Sequence, residues 1–74
     1  MVKILVETYL LHGEVRVRPL KDQIYDTSLN VSCSRAIRES FPVGSVFEIS
    51  VRYVEKPDVA PYLYSHNNWE FRKI

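Results

Sequence analysis

Residues Tyr62-Leu63-Tyr64-Ser65-His66-Asn67-Asn68-Trp69-Glu70-Phe71-Arg72-Lys73 gather four of the chain's nine aromatic residues, a histidine and two cations into one short stretch. Rings interleaved with Arg and Lys can stack on bases or another flat ligand, and the same alternation can line the inside of a small β-barrel. The remaining chemistry-bearing residues are sparse. Cys33 sits near the start of a predicted helix, where a thiolate would be favoured. A phosphatase-like Cys-x5-Arg loop would need Arg at position 39, however, and the residue there is Glu39. Cys33 also falls on an apolar stripe, as a structural cysteine does. His12 and His66 occupy predicted turns without partners at metal-ligand spacing, and Glu7, Glu48 and Glu70 fall on polar strand faces as solvated charges do. The expectation is a protein that is not an enzyme and carries no metal or cofactor.

Composition sets the scale of the elements that must hold these residues. Seventy-four residues make one domain, 1–74, and a chain this short buries only about 60% of the surface its unfolded form exposes. A hydrophobic fraction of 46% argues for a folded core over disorder. Ten basic and nine acidic residues leave a net charge of +1, which gives no chain-wide attraction to a polyanion, so a nucleic-acid site would be a local patch. The single cysteine excludes an internal disulfide. Glu7 interrupts the apolar start that a secretory signal would need, and no apolar run reaches the roughly 20 residues of a membrane helix. The chain therefore reads as cytoplasmic, with no membrane partner.

The first strong element is a hairpin. Residues 2–11 are rich in β-branched and large apolar side chains, His12-Gly13 is a two-residue turn, and Glu14-Val15-Arg16-Val17-Arg18 alternates. That turn sets Leu10 opposite Val15, Thr8 opposite Val17 and Val6 opposite Pro19, and on the other face Tyr9 opposite Arg16 and Glu7 opposite Arg18. Leu29-Asn30-Val31 reads as a short strand with Leu29 and Val31 inward. Ser32 or Ser34 then caps a two-turn helix at about 33–41, apolar along Cys33, Ala36, Ile37 and Phe41 and stopped by Pro42. Residues 45–54 alternate most clearly, with Phe47, Ile49, Val51 and Tyr53 on one face. Lys56 to Pro61 reads as a loop, and Tyr62 to Arg72 as a final hairpin turning at Asn67-Asn68.

That last register puts Tyr62, Tyr64, His66, Trp69 and Phe71 on one side and Leu63, Ser65, Glu70 and Arg72 on the other. A half-buried strand turns its apolar face inward, so Tyr64, Trp69 and Phe71 are expected in the core, with Tyr62 and His66 at its rim. The fold class is α+β: a small, mostly antiparallel, β-barrel-like or curved-sheet domain with one short helix between N-terminal and C-terminal strands. The element order is similar to that of oligonucleotide-binding-type barrels, which also carry a helix between the third and fourth strands. Tyr9, Arg16, Arg18, Arg52 and Arg72 can share one sheet face, which makes a binding module for single-stranded nucleic acid the leading expectation. The alternative is a protein-interaction or homodimerisation module using Leu5, Tyr9 and Leu11, apolar residues on the solvent side of the first strand.

Overall fold

The computed structural model describes all residues from Met1 to Ile74. Its elements are β1 (Val2–Leu11), β2 (Glu14–Pro19), β3 (Val31–Ser32), α1 (Arg35–Glu39), β4 (Val46–Lys56), β5 (Val59–Tyr64) and β6 (Phe71–Lys73). They form one mixed six-stranded sheet in the order β2-β1-β4-β5-β3, with β6 also on β4. The sheet is open, because β2 and β3 at its two ends do not pair. No helix is long and apolar enough to cross a membrane.

The β1–β2 hairpin has the register its sequence dictates, from Val6 opposite Pro19 to Leu11 opposite Glu14. Both turn residues have positive φ, His12 at 52° and Gly13 at 81°, the twist a two-residue hairpin needs. The first half of β1 pairs antiparallel with β4, Val6 meeting Phe47 and Ile4 meeting Ile49. Alternate residues therefore build the core: Ile4, Val6, Val17, Phe47, Ile49, Val51 and Leu63 are buried, joined by Val31 from β3 and Ile37 from α1.

Helix α1 is shorter than 33–41. Ser34 is its cap, with extended backbone and Oγ accepting from Ala36 N–H at 3.2 Å, which leaves Cys33 outside the helix. Ser40 closes it by donating to the Ala36 carbonyl. Ile37 fixes the helix on the core, and Phe41 just beyond it meets Phe47 edge-on at 5.1 Å.

The segment between β2 and β3 is held by one side chain. Beyond Val6 and Pro19 strand β1 loses its β2 partner while keeping β4, and Gln23 takes over that open edge. Gln23 Oε1 accepts from Leu5 N–H at 2.7 Å while its Nε2 donates to the carbonyls of Leu5 at 2.8 Å and Leu20 at 2.9 Å. A side-chain amide carries the same donor and acceptor as a peptide, so it continues the ladder. Tyr25 then stacks on Tyr53, with centroids 6.1 Å apart.

The C-terminal third departs from expectation. The loop after β4 is only Pro57-Asp58, with Asp58 at φ 66°, so β5 already starts at Val59 and pairs back on β4. The register slips between Val54 and Lys56; Ala60 and Pro61 both lie opposite Glu55 there, a bulge that accommodates a residue lacking an N–H. Strand β5 also pairs in parallel with β3, Val31 opposite Leu63. No hairpin joins β5 to β6. Trp69 N–H does bond the His66 carbonyl around Asn67-Asn68, but neither asparagine has positive φ, and without that twist the arms splay. Strand β6 accordingly pairs with β4, Phe71 opposite Ile49 and Lys73 opposite Phe47. Strands β5 and β6 thus follow one another along the same edge of β4, separated by residues 65–70.

Candidate nucleic-acid interface

Which side of β5 faces inward decides the site. Leu63 lies opposite Tyr53 and Val31 and is fully buried, and Ser65 is buried beside it. Tyr62 and Tyr64 point the other way, opposite Val54 and Arg52 on the outer face. The expectation that Tyr64 and Trp69 enter the core is therefore corrected: the ring-bearing face turns outward and the Leu63 face inward. The rings do not all share a side, either. Phe71 remains on the inner face against Phe47 at 5.8 Å, although it is 38% exposed at the sheet edge.

Residues 65–70 fold over the outer face and bring Trp69 back to the tyrosines. Tyr64, His66 and Trp69 pack mutually, with centroid separations of 6.0 Å for Tyr64–Trp69, 6.3 Å for Tyr64–His66 and 5.9 Å for His66–Trp69. Asn68 N–H donates to His66 Nδ1 at 3.0 Å, which fixes the imidazole as acceptor at that nitrogen. The Arg52 guanidinium lies 5.8 Å from the Tyr64 ring centre, within cation–π range.

Two depressions meet at Trp69. One, of about 320 Å³, is lined by Arg52, Val54, Lys56, Tyr62, Tyr64, His66 and Trp69. The other, of about 410 Å³, lies between Trp69-Glu70 and the outer residues Lys3, Glu48 and Ser50. Both fall within the roughly 300–1,000 Å³ of small-ligand sites.

The residues expected at a basic face fall into two groups. Register places Tyr9, Arg16, Arg18, Arg52 and Arg72 all on the outer face. Three of the arginines are already engaged: Arg18 with Glu7 at 2.9 Å, Arg16 with Glu14 at 3.5 Å and Arg72 with Glu48 at 3.4 Å. Arg18 also covers the Tyr9 ring at 4.2 Å, so the cation–π partner of Tyr9 is this diagonal neighbour and not Arg16 opposite. Arg52, Lys56 and Lys3 take part in none of the ion pairs. Arg52 and Lys56 thus place unpaired positive charge beside the aromatic cluster, whereas Arg16 and Arg18 of the first hairpin are paired.

Sequence reasoning expected Tyr64 and Trp69 in the core, Tyr62 only at its rim and Lys56 in a loop, and so did not bring the four together beside Arg52. The missed signal was Pro57-Asp58, a turn dipeptide between Val54 and Val59 that would have paired β5 with β4 and set Tyr64 beside Arg52. Of the apolar residues on the solvent side of β1, Leu5 and Tyr9 are half-buried, and Leu11 is exposed beside Leu10 at the hairpin tip. Cys33 is half-buried, and desolvation pushes its pKa up to about 11 against a smaller lowering by Arg38. A thiol so hard to ionise is a poor nucleophile at neutral pH. No three His, Cys, Asp or Glu side chains converge on a common point. Comparison with known protein families, with curated proteins and with solved structures finds no match to this chain.

Proposed function

We propose that the protein is a small, non-enzymatic binding module that takes single-stranded nucleic acid on the outer face of its sheet. Bases stack at Trp69 and Tyr62, and phosphates meet Arg52 and Lys56. One observation carries the reading: an aromatic cluster turned away from the core adjoins cations that no carboxylate neutralises. Stacking accepts any base and contributes about 1–3 kcal/mol per base, while each phosphate contact adds a salt-dependent share. Architecture supports the same reading. The strand order, with β3 parallel to β5 and α1 between β3 and β4, resembles an oligonucleotide-binding-type barrel left open between β2 and β3, and such barrels bind through a sheet face and the loops joining strands. Fold alone does not assign function; the proposal rests on the cations and rings.

Trp69 is the only tryptophan, so its fluorescence reports stacking directly. A short mixed-sequence single strand at low salt is expected to quench it. Arg52→Ala and Lys56→Ala should each weaken binding and flatten the log–log salt dependence by about 0.7, read by anisotropy of a labelled strand. Absence of binding at low salt, or affinity indifferent to both substitutions, refutes the proposal.

Self-association is the second reading, favoured by Leu11, 39% exposed on the same face of β1 as the half-buried Leu5 and Tyr9. It predicts a dimer by light scattering that Leu11→Lys dissociates; a strictly monomeric protein at high concentration excludes it.

A further inference from the structure

We infer that the depression beside Glu70 selects guanine, so that the module prefers single strands carrying an unpaired G. The inference rests on the nucleic-acid reading above and names the base that site takes. Trp69 lines both depressions, which makes it the wall shared by a phosphate bay and a base bay. The two bays differ in chemistry. The first holds Arg52 and Lys56 and no carboxylate. The second holds Glu70, Asn68, Ser50 and Lys3 beside the Glu48–Arg72 pair.

Glu70 is the carboxylate of this bay that no cation of the protein engages. It immediately follows Trp69, is exposed, and makes neither an ion pair nor a side-chain hydrogen bond, unlike Glu48. A free carboxylate beside a stacking ring would repel a polyanion unless the ligand offers it hydrogen-bond donors. Two parallel donors on adjacent atoms suit its two oxygens best. Among the four bases only guanine presents that pattern, N1–H beside the 2-amino group. Adenine and cytosine place a ring-nitrogen acceptor next to their amino group, and thymine or uracil flanks N3–H with two carbonyls, so each of these turns a lone pair toward one carboxylate oxygen. Guanine O6, on the same edge, is an acceptor that suits the ammonium of Lys3, which lines the same bay. A base stacked on Trp69 thus meets Glu70 and Lys3 on one edge while its phosphate reaches Arg52 and Lys56.

The test uses the intact protein and short thymidine strands that are unmodified or carry one central guanosine, adenosine, cytidine or inosine. The guanosine strand is expected to bind about ten-fold more tightly than the others, in keeping with the discrimination of a good bidentate contact. Inosine, which lacks the 2-amino group, should lose most of that preference. Glu70→Gln should erase it while leaving the salt dependence and the melting temperature unchanged. Equal binding of all five strands, or a guanosine preference that survives Glu70→Gln, overturns the inference and leaves the nucleic-acid reading standing. Binding of none of them at low salt overturns that reading as well.

Discussion

Replacing Gln23 with alanine should destabilise the domain far more than a half-buried surface glutamine ordinarily would. Its side chain makes three hydrogen bonds, to Leu5 N–H at 2.7 Å and to the carbonyls of Leu5 at 2.8 Å and Leu20 at 2.9 Å. The Leu5 carbonyl keeps a second donor, Leu20 N–H at 3.0 Å, so the groups stranded by Gln23→Ala are the Leu5 N–H and the Leu20 carbonyl. Each lost bond costs about 1 kcal/mol net, with up to a few kcal/mol more if water cannot replace it. Both groups are only partly buried, so water reaches them and the lower end applies, giving a total of about 2 kcal/mol. Unfolding 74 residues releases roughly 0.16 kcal/mol/K, so the melting temperature should fall by about 13 °C. Gln23→Glu sharpens the test. Its carboxylate can accept from Leu5 N–H but faces two carbonyl oxygens, which favours the protonated acid in the folded state. A group held protonated by the fold stabilises below its unfolded pKa and loses that contribution as pH rises, so this variant should melt higher at pH 4 than at pH 7 relative to wild type. Circular-dichroism melts at both pH values read the result. If Gln23→Ala melts within about 3 °C of wild type, the side chain does not replace a strand partner.

Gly13→Ala should cost about 1–2 kcal/mol from backbone strain alone, because the residue sits at φ 81° while a Cβ there would touch nothing; an unchanged urea midpoint would refute the turn geometry. Raising the pH should destabilise the protein between about 9 and 11, because the Cys33 thiol ionises at 9.0 when free but at about 11 when folded. The unfolded chain gains charge first across that window. Subtracting the pH dependence of Cys33→Ala isolates this contribution, and identical slopes would exclude it. Thr8→Val should cost about 1 kcal/mol, because the buried Thr8 hydroxyl accepts from Gly44 N–H at 3.0 Å. Gly44 N–H also bonds the Thr8 carbonyl at 3.0 Å, which keeps the loss from being larger; urea denaturation measures it.

The first hairpin, β4 and α1 were legible because each carries a local signal that needs no knowledge of its neighbours. His12-Gly13 sets the β1–β2 register, four alternating residues from Phe47 to Tyr53 mark β4, and Ser34 followed by Ile37 and Pro42 bounds the helix. Gln23 was invisible for the opposite reason: a side chain that imitates a strand leaves no period. For the site, alternation showed that Arg16, Arg18, Arg52 and Arg72 share a face, but the carboxylates that neutralise three of them become evident only once cross-strand neighbours are known.

The inverted reading of β5 follows from the size of the core. Alternation tells which residues share a face, and a count of apolar area would put Tyr62 and Tyr64 inside. The inward position, however, is wedged between Tyr53 of β4 and Val31 of β3, with fully buried Phe47 and Val51 occupying the adjoining strand. A tyrosine there must bury its hydroxyl, at a cost of about 1–3 kcal/mol without a partner, and no buried side-chain oxygen or nitrogen in this protein lacks one. Leu63 fills the position with no such demand. Outward tyrosines are therefore what a core this small dictates, and their exposure alone does not mark a binding site. The proposal rests on the charges beside them. The sheet neutralises Arg16, Arg18 and Arg72 with Glu14, Glu7 and Glu48, yet leaves Arg52 and Lys56 without a carboxylate where the rings are. Within the fold Arg52 gains only a long cation–π contact with Tyr64, whereas the proposed stacked base with its phosphate meets both the half-buried rings and the cations.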